Sequence, residues 1–271
     1  MLTIPLADST FRDLRDYIYE KSGIYITDTK KYLIENRLSR ILQENNLDSF
    51  EKYLELINFR SNGNEISRLF DAITTNETYF FREPDQLNVL IDTVLPGVLS
   101  QKKTMKIWSA ACSTGEEPFT ISIMLKNKFP NVGQFEIVGS DLSESVLHSA
   151  KRAVYNSYSV RNVDTSYLSK YFSAADKSYT LNDEIKRTVK FMKVNLIDNT
   201  TTRLIRNVDV ILCRNVLIYF DTKAKQKVIS NLYNALNPGG YLIIGSSESL
   251  HSVTRAFRPS TINRVVLYQK A

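Results

Sequence analysis

The chain has 271 residues, 43% of them hydrophobic, and carries 35 Lys and Arg against 29 Asp and Glu, a net charge of +6. That length supports one sizeable core plus a smaller satellite domain, and no apolar run is long enough to span a membrane. With two cysteines, Cys112 and Cys213, and two histidines, His148 and His251, neither a disulfide framework nor a metal site is expected. The stretch Met1 to Asp13 carries charges and lacks the apolar core of a secretory signal, so a soluble, cytoplasmic protein is expected. The basic balance permits a nucleic acid, a membrane surface or an acidic protein helix as partner and does not choose between them. A solvated surface with a mild lysine excess is the plainer reading.

Residues 1–75 read as short helices. Phe11, Leu14 and Ile18 recur at helical spacing, with Gly23 as the stop. A second helix spans about Lys30 to Glu44 on the stripe Ile34, Leu38, Ile41 and Leu42. A third begins near Ser49, where Asp48 and Glu51 offer a capping pattern, and a fourth covers Glu65 to Ile73. Helices this short are marginal alone and are expected to pack as a bundle. From residue 76 to 271 the texture changes to strands alternating with helices: strands at Lys106–Cys112, Phe135–Ser140, Val189–Leu196, Val208–Cys213, Tyr241–Gly245 and Arg264–Tyr268. Helices are predicted at Glu116–Phe129, Glu144–Ala153 and Lys223–Leu236. This alternation predicts a largely parallel α/β sheet covered on both faces, with a ligand site beyond the carboxyl ends of the strands. The segment from about 164 to 190 breaks the rhythm and reads as a short helix and a small antiparallel β excursion, with a plain loop as the alternative.

Four places at those carboxyl ends carry the chemistry. Ile107-Trp108-Ser109-Ala110-Ala111-Cys112-Ser113-Thr114-Gly115-Glu116-Glu117-Pro118 runs from a buried strand through small residues into a helix start. Small residues let backbone approach a ligand, but only one of the three glycines of a dinucleotide fingerprint is present. A phosphate-free nucleoside fits better than NAD or a triphosphate, and the glutamate pair suits an ammonium or hydroxyls. Asp141, at the tip of the second strand, suits ribose hydroxyls or a helix cap equally. Asn195-Leu196 closes the third strand and can meet an adenine edge or simply make a turn. Arg214 and Asn215 interrupt an apolar run where the fourth strand ends, so a ligand or a polar network must satisfy them.

Asn76-Glu77-Thr78-Tyr79-Phe80-Phe81-Arg82-Glu83 resembles the signature of the chemotaxis receptor methyltransferases, the CheR family. Ser109–Pro118, Cys213–Asp221 and Gly245–Leu250 resemble three further blocks of that family, and the likeness covers nearly the whole chain. It implies a class I S-adenosylmethionine (SAM) methyltransferase: a Rossmann-like seven-stranded sheet, its last strand antiparallel, an inserted small antiparallel β subdomain and an N-terminal helical domain. It implies SAM as cofactor, with S-adenosylhomocysteine as product and no metal. Carried over position by position, Asn76, Thr78, Arg82, Glu116, Glu117, Asp141, Asn195, Leu196, Arg214 and Asn215 are the cofactor contacts, Glu117 being favoured over Glu116. Arg82 and Tyr219 are the residues nearest the reacting groups. Phe80 and Phe81 read as a plug that fixes the linker.

The resemblance also implies the reaction, esterification of glutamate side chains on the helical methylation region of chemoreceptors, in sensory adaptation. Lys30, Arg37 and Arg40 flank the apolar stripe of the second helix; they suit an acidic receptor helix or a solvated face. Some family members carry a glycine-containing extension in the β-subdomain loop, linked to a receptor's C-terminal tether peptide. Here Phe172–Tyr179 is short and lacks glycine, so no tether binding is expected. A nucleic-acid or small-molecule methyltransferase is the first rival; the chain has Arg214-Asn215-Val216-Leu217 where amino-methylating nucleic-acid enzymes carry a proline pair. An inactive cofactor-binding relative is the second. No nucleic-acid binding, no membrane insertion and a monomer are expected.

Overall fold

Amphipathic helices of 10 to 15 residues cannot stand alone in water, and the first seventy residues resolve this by mutual burial. The computed structural model describes residues 4–59, 63–129 and 132–271. The chain divides into two units, Met1–Thr75 with Tyr219–Ala224, and Asn76–Ile218 with Lys225–Ala271; Met1–Thr3, where the N-terminal reading began, lie outside the described residues.

In the first unit, α1 (Asp8–Ser22) buries Phe11, Leu14 and Ile18 and ends at Gly23, whose φ of 75° is the left-handed stop that glycine makes without strain. Helix α2 (Lys31–Glu44) buries Ile34, Leu38, Ile41 and Leu42. It is followed by α3 (Phe50–Phe59) and α4 (Gly63–Ile73). The cap of α3 differs from the expected pattern: Lys52 N–H donates to Ser49 Oγ at 3.3 Å, while Asp48 accepts from Lys52 Nζ and Glu51 from the Thr10 hydroxyl. A serine oxygen one position closer to the helix reaches its free N–H, so the acids serve side chains instead. The segment Tyr219–Ala224 joins this unit through Tyr25 N–H to the Tyr219 carbonyl (2.9 Å) and Tyr19 Oη to Asp221 (3.0 Å).

The second unit starts with α5 (Pro84–Val89), a π-helical turn Leu90–Val94 and α6 (Leu95–Leu99), which together bury Leu87, Leu90, Ile91, Val94 and Leu95. No element is predicted for this stretch, and Pro96-Gly97 falls inside α6. The wide turn just upstream accommodates the proline, whose ring would otherwise strike the carbonyl four residues back. The chain continues through β1 (Met105–Ala110), α7 (Glu116–Lys128), β2 (Phe135–Asp141) and α8 (Glu144–Arg152). Next come β3 (Val154–Asn156), α9 (Thr165–Tyr171), β4 (Phe172–Ala175), β5 (Ser178–Leu181) and α10 (Asp183–Lys186). Last are β6 (Val189–Lys193), α11 (Asn199–Thr202), β7 (Val208–Cys213), α12 (Thr222–Ala235), β8 (Leu236–Ile244), β9 (Phe257–Ile262) and β10 (Val265–Lys270).

The main sheet has the order β6-β2-β1-β7-β8-β10-β9, with parallel pairs throughout except at β10, which runs antiparallel to both neighbours. This is the seven-stranded arrangement the resemblance implies. All six residues of β7 are buried, as a central parallel strand covered on both faces requires. The second sheet, β3-β5-β4, is antiparallel. It begins at Val154, upstream of the expected start near 164, because Ala153 (φ 52°) ends α8 in the left-handed region and turns the chain straight into β3. Strand β9 is outside the predicted set: its side chains are mostly exposed and it contains Pro259, the marks of an edge strand without an apolar run.

Candidate active site

Strand β1 lies between β2 and β7, so the strand order reverses beside it and a crevice opens beyond its carboxyl end. The loop leaving β1 is wound tightly: Ala111, Ser113 and Gly115 have φ of 61°, 50° and 93°. Gly115 is required twice over, since a Cβ there would lie 3.0 Å from Ala150 Cβ and 3.1 Å from Phe119 in addition to the unfavourable φ. The winding delivers Ser113 N–H to Asp141 Oδ2 at 2.9 Å, while Ser143 N–H donates to Asp141 Oδ1 at 3.0 Å. Ser143, not Asp141, caps α8, accepting from Val146 N–H. Asp141 therefore ties the tip of β2 to the loop after β1.

The two glutamates that open α7 go separate ways. Glu116 is buried, with Oε2 accepting from Thr114 Oγ1 (2.6 Å) and Oε1 from Ser159 Oγ (3.1 Å). Burial pushes its carboxyl pKa up, the hydroxyl bonds offsetting part of that rise. Glu117 keeps 15% of its side chain exposed; Oε1 accepts from Ser109 Oγ (2.6 Å) and Oε2 from Arg214 Nη1 (2.9 Å).

Arg214 is the hub of the site. Its side chain is 2% exposed, yet it donates to Gln86 Oε1 (2.6 Å), the Arg82 carbonyl (2.6 Å), Glu83 Oε2 (3.2 Å) and Glu117. A planar guanidinium with five donors can satisfy such a ring of acceptors where an ammonium cannot. Glu83 also accepts from Asn215 Nδ2 (3.2 Å) and Ser246 Oγ (2.9 Å). Burial alone would raise the Glu83 pKa; the bonds from Asn215 and Ser246 and the Arg214 charge outweigh it and hold the carboxyl below its usual value. Glu248 closes the far side, accepting from the N–H groups of Gly245 (2.7 Å), Asn215 (3.0 Å) and Ile218 (3.3 Å). A Cβ on Gly245 would sit 2.8 Å from Glu248 Oε2, so only glycine lets this carboxylate in.

The linker from Asn76 to Glu83 is fastened along its length. The Asn76 carbonyl accepts from Ser113 Oγ (3.0 Å), Phe80 N–H donates to the Ser159 carbonyl (2.9 Å) and Phe81 N–H to Thr120 Oγ1 (3.1 Å). Phe80 is fully buried, its ring edge-on to Tyr155 and Phe172 at 4.8 and 5.1 Å, and Phe81 stacks on Tyr167 at 5.7 Å. Both act as the plug expected of them. Thr78 and Arg82 stay half-buried, and Arg82 Nη1 donates to the Glu77 carbonyl (2.8 Å). The structure thus brings Asn76, Arg82, Glu117, Asp141, Arg214 and Asn215 into one connected region. Asn195 is half-buried below the tip of β6, with Oδ1 accepting from Ile197 N–H (3.3 Å), and Leu196 is buried, its carbonyl accepting from Asn231 (2.8 Å). Tyr219 belongs to the first unit.

In that first unit Arg37 donates to the Ile73 carbonyl and to Thr75 Oγ1 (3.0 Å), Arg40 pairs with Glu44 (2.7 Å), and Lys30 is exposed in the turn before α2. Glu83, Gln86, Ser109, Ser246 and Glu248 were not singled out from the sequence. Glu83 and Glu248 both lie inside the family-like blocks, which was the available signal. Both histidines are exposed, and among the described residues no cluster of His, Cys, Asp and Glu can hold a metal. No helix is long and apolar enough to cross a membrane among the described residues.

Two family descriptions match the sequence: "CheR methyltransferase, all-alpha domain" over residues 9–74 and "CheR methyltransferase, SAM binding domain" over residues 76–266. The chain is 36% identical over 275 residues to "Chemotaxis protein methyltransferase 2" of Vibrio cholerae serotype O1, covering 100% of this chain and 96% of that relative. It is 34% identical over 275 residues to "Chemotaxis protein methyltransferase" of Vibrio parahaemolyticus, covering 99% of each.

Proposed function

This chain belongs to the CheR methyltransferase family, and on that premise we propose that it transfers methyl groups from SAM to glutamate side chains of methyl-accepting chemotaxis receptors. It is an enzyme with a SAM-binding domain of the class I methyltransferase fold. The single observation that carries the site assignment is the sign of the charge at the carboxyl rim. Glu83, Glu117, Asp141 and Glu248 converge there, and Arg214, the one buried cation among the described residues, is already shared among carboxylates and carbonyls. Such a rim repels a pyrophosphate and favours a ligand bearing positive charge and hydroxyls, which is the chemistry of SAM.

When bound, SAM supplies an electrophilic methyl group on a positively charged sulfur. Glu117 and Asp141 suit the ammonium and the ribose hydroxyls, Asn195 and Leu196 the adenine, and Asn76, Thr78 and Asn215 the remaining polar groups. Glu116 holds the loop through Thr114 and Ser159, which supports Glu117 as the direct contact. Arg214 positions Glu117 and the linker carbonyls rather than offering free donors.

The acceptor glutamate has an ordinary pKa of about 4.3 and is ionised at pH 7, so no protein base has to remove a proton. That agrees with two exposed histidines. The task left to the protein is to align the acceptor oxygen and to exclude water. Arg82 grips the acceptor carboxylate through fork-shaped hydrogen bonds, and Tyr219 donates one more. Lys30, Arg37 and Arg40 meet acidic side chains along the receptor helix; Arg37 does so with part of its guanidinium already committed to Ile73 and Thr75. The partner is the helical methylation region itself, without a tether peptide, and the enzyme works as a cytoplasmic monomer on protein, not nucleic acid.

Incubation with methyl-labelled SAM and receptor-bearing membranes tests the reading. Base-labile label in the receptor is the expected result; label in nucleic acid, or binding of SAM without transfer to any acceptor, overturns it. Arg82→Ala is expected to lower turnover at saturating receptor, and Lys30→Glu with Arg40→Glu to raise receptor KM with SAM affinity unchanged.

A further inference from the structure

Tyr79 is the one aromatic of the linker outside the Phe80–Phe81 plug. Its half-buried ring carries the Arg161 guanidinium at 3.5 Å from the centroid, and the same guanidinium lies 3.7 Å from the ring of Tyr158. The two rings are nearly perpendicular, 79° apart, with centroids separated by 6.4 Å, and Arg161 fills the angle between them. Arg161 Nη1 donates to the Tyr158 carbonyl (2.6 Å), and Tyr158 Oη donates to Glu77 Oε1 (2.8 Å), fixing that ring to the linker. Arg82 approaches the same Tyr79 ring at 5.7 Å. Two arginines therefore share one ring, and among the described residues neither has a carboxylate within ion-pair distance.

An exposed arginine normally swings through many rotamers and loses that freedom on binding. Here two aromatic faces and a carbonyl hold Arg161 in place, so its remaining N–H edge is presented ready-made. Carboxylates three or four residues apart on a helix have Cβ atoms roughly 5–6 Å apart. Arg82 and Arg161 lie 5.7 Å and 3.5 Å from the same Tyr79 centroid, so one acidic helix face can address both.

Resting on the reading that Arg82 grips the reacting glutamate, we propose that Arg161, clasped by Tyr79 and Tyr158, is a second carboxylate subsite. It takes an acidic side chain one helical turn from the residue to be methylated. The clasp selects acidic helices over neutral ones and sets which glutamate is placed at Arg82. Glu77 bears the only carboxylate of the cluster, and its bond to Tyr158 Oη orients the clasp instead of neutralising Arg161.

The test is steady-state methylation of receptor-bearing membranes by the full-length enzyme, with SAM affinity measured separately by calorimetry. Arg161→Gln is expected to raise receptor KM about tenfold with kcat and SAM affinity kept, the loss expected for one charge-assisted contact. For wild-type enzyme, changing receptor glutamates three and four residues from the methylated position to glutamine is expected to raise KM by a similar factor. The same receptor change should add nothing further in Arg161→Gln. Unchanged KM in either single change, or fully multiplicative effects in the combination, overturns the subsite. Absence of receptor methylation by wild-type enzyme instead overturns the underlying reading. The receptor-side arm stays decisive should Arg161→Gln fail to fold.

Discussion

At the carboxyl rim of the main sheet Arg214 gathers Glu83, Glu117, Gln86 and a linker carbonyl around one guanidinium. At the amino rim Asp209, equally buried, gathers Lys102, the Lys106 N–H (2.8 Å) and Asn237 Nδ2 (2.7 Å) around one carboxylate. The two hubs are alike in construction and opposite in surroundings. Beside Asp209 opens a cavity of about 810 Å³ lined with Lys102, Lys106, Arg187, Lys190 and Arg206, whereas the rim around Arg214 is dominated by carboxylates. A buried ion cluster thus fastens each rim of the sheet, and the sign of what surrounds it decides which ligand can follow. The open cationic cavity is the wrong place for a sulfonium, however large it is.

Removing the hubs is the strongest way to break the comparison. Arg214→Met strands Glu83 and Glu117 as partly buried charges without their cation, and is expected to cost about 3–5 kcal/mol. In a thermal melt that is a fall of roughly 10 °C, and calorimetry should show SAM binding lost with it. A melt within a degree of wild type would mean that the hub is dispensable. Glu83→Gln is the next step down, about 2 kcal/mol at neutral pH, because an amide offers one acceptor oxygen where four donors converge. Its pH dependence has a definite sign. The folded pKa of Glu83 lies below the unfolded one, so its stabilisation is full above the unfolded value near 4.3. It is lost as pH falls through the folded value. Stability curves of wild type and Glu83→Gln should converge in acid; a constant gap down to low pH contradicts the assignment.

Asp209→Asn sharpens the comparison from the other side. The Lys102 side chain is 36% exposed and its ammonium can return to water, so the loss is expected at about 1–2 kcal/mol, seen as a smaller melting shift. SAM affinity should not change, since nothing at the amino rim touches the cofactor crevice. Weakened SAM binding in Asp209→Asn would place the two rims in one coupled system.

Much of the frame was legible because burial on both faces leaves a plain mark. Val208–Cys213 is an unbroken apolar run but for Asp209, and β7 has those bounds. The loop after β1 was legible from its small residues, and the plug from two adjacent phenylalanines. What escaped has physical reasons. Pro96-Gly97 hides a helix that a π turn makes possible, and Pro259 with exposed neighbours hides an edge strand. Asp209 was read as one more strand residue, since its partners come from three separate segments. The bond between Asn215 and Glu83 joins residues 132 positions apart, and spacing carries no trace of such a pairing.

The finest form of the comparison sits in two adjacent residues. Glu116 and Glu117 are alike in residue type and place, each an acid in the first turn of α7, where the helix N-terminus favours both. Their partners separate them: neutral hydroxyls for Glu116, and a hydroxyl plus a guanidinium for Glu117. Glu117→Gln should lower SAM affinity at least about tenfold, the loss of one charge-assisted contact. Glu116→Gln keeps the shape and both hydroxyl contacts while removing a charge that burial opposes, so its effect on stability at neutral pH should stay within about 1 kcal/mol. The folded pKa of Glu116 is raised, so the native state binds the proton more tightly than the unfolded chain. Wild-type stability relative to Glu116→Gln must then decline as pH climbs from about 4.3 through that raised value, and level off above it. This is the reverse of the Glu83 profile. Denaturant midpoints on both variants should depart from a constant offset against wild type in separate windows, below about 4.3 for Glu83→Gln and above it for Glu116→Gln, with opposite signs of slope; a shared window and sign would mean that the two carboxylates share one environment after all.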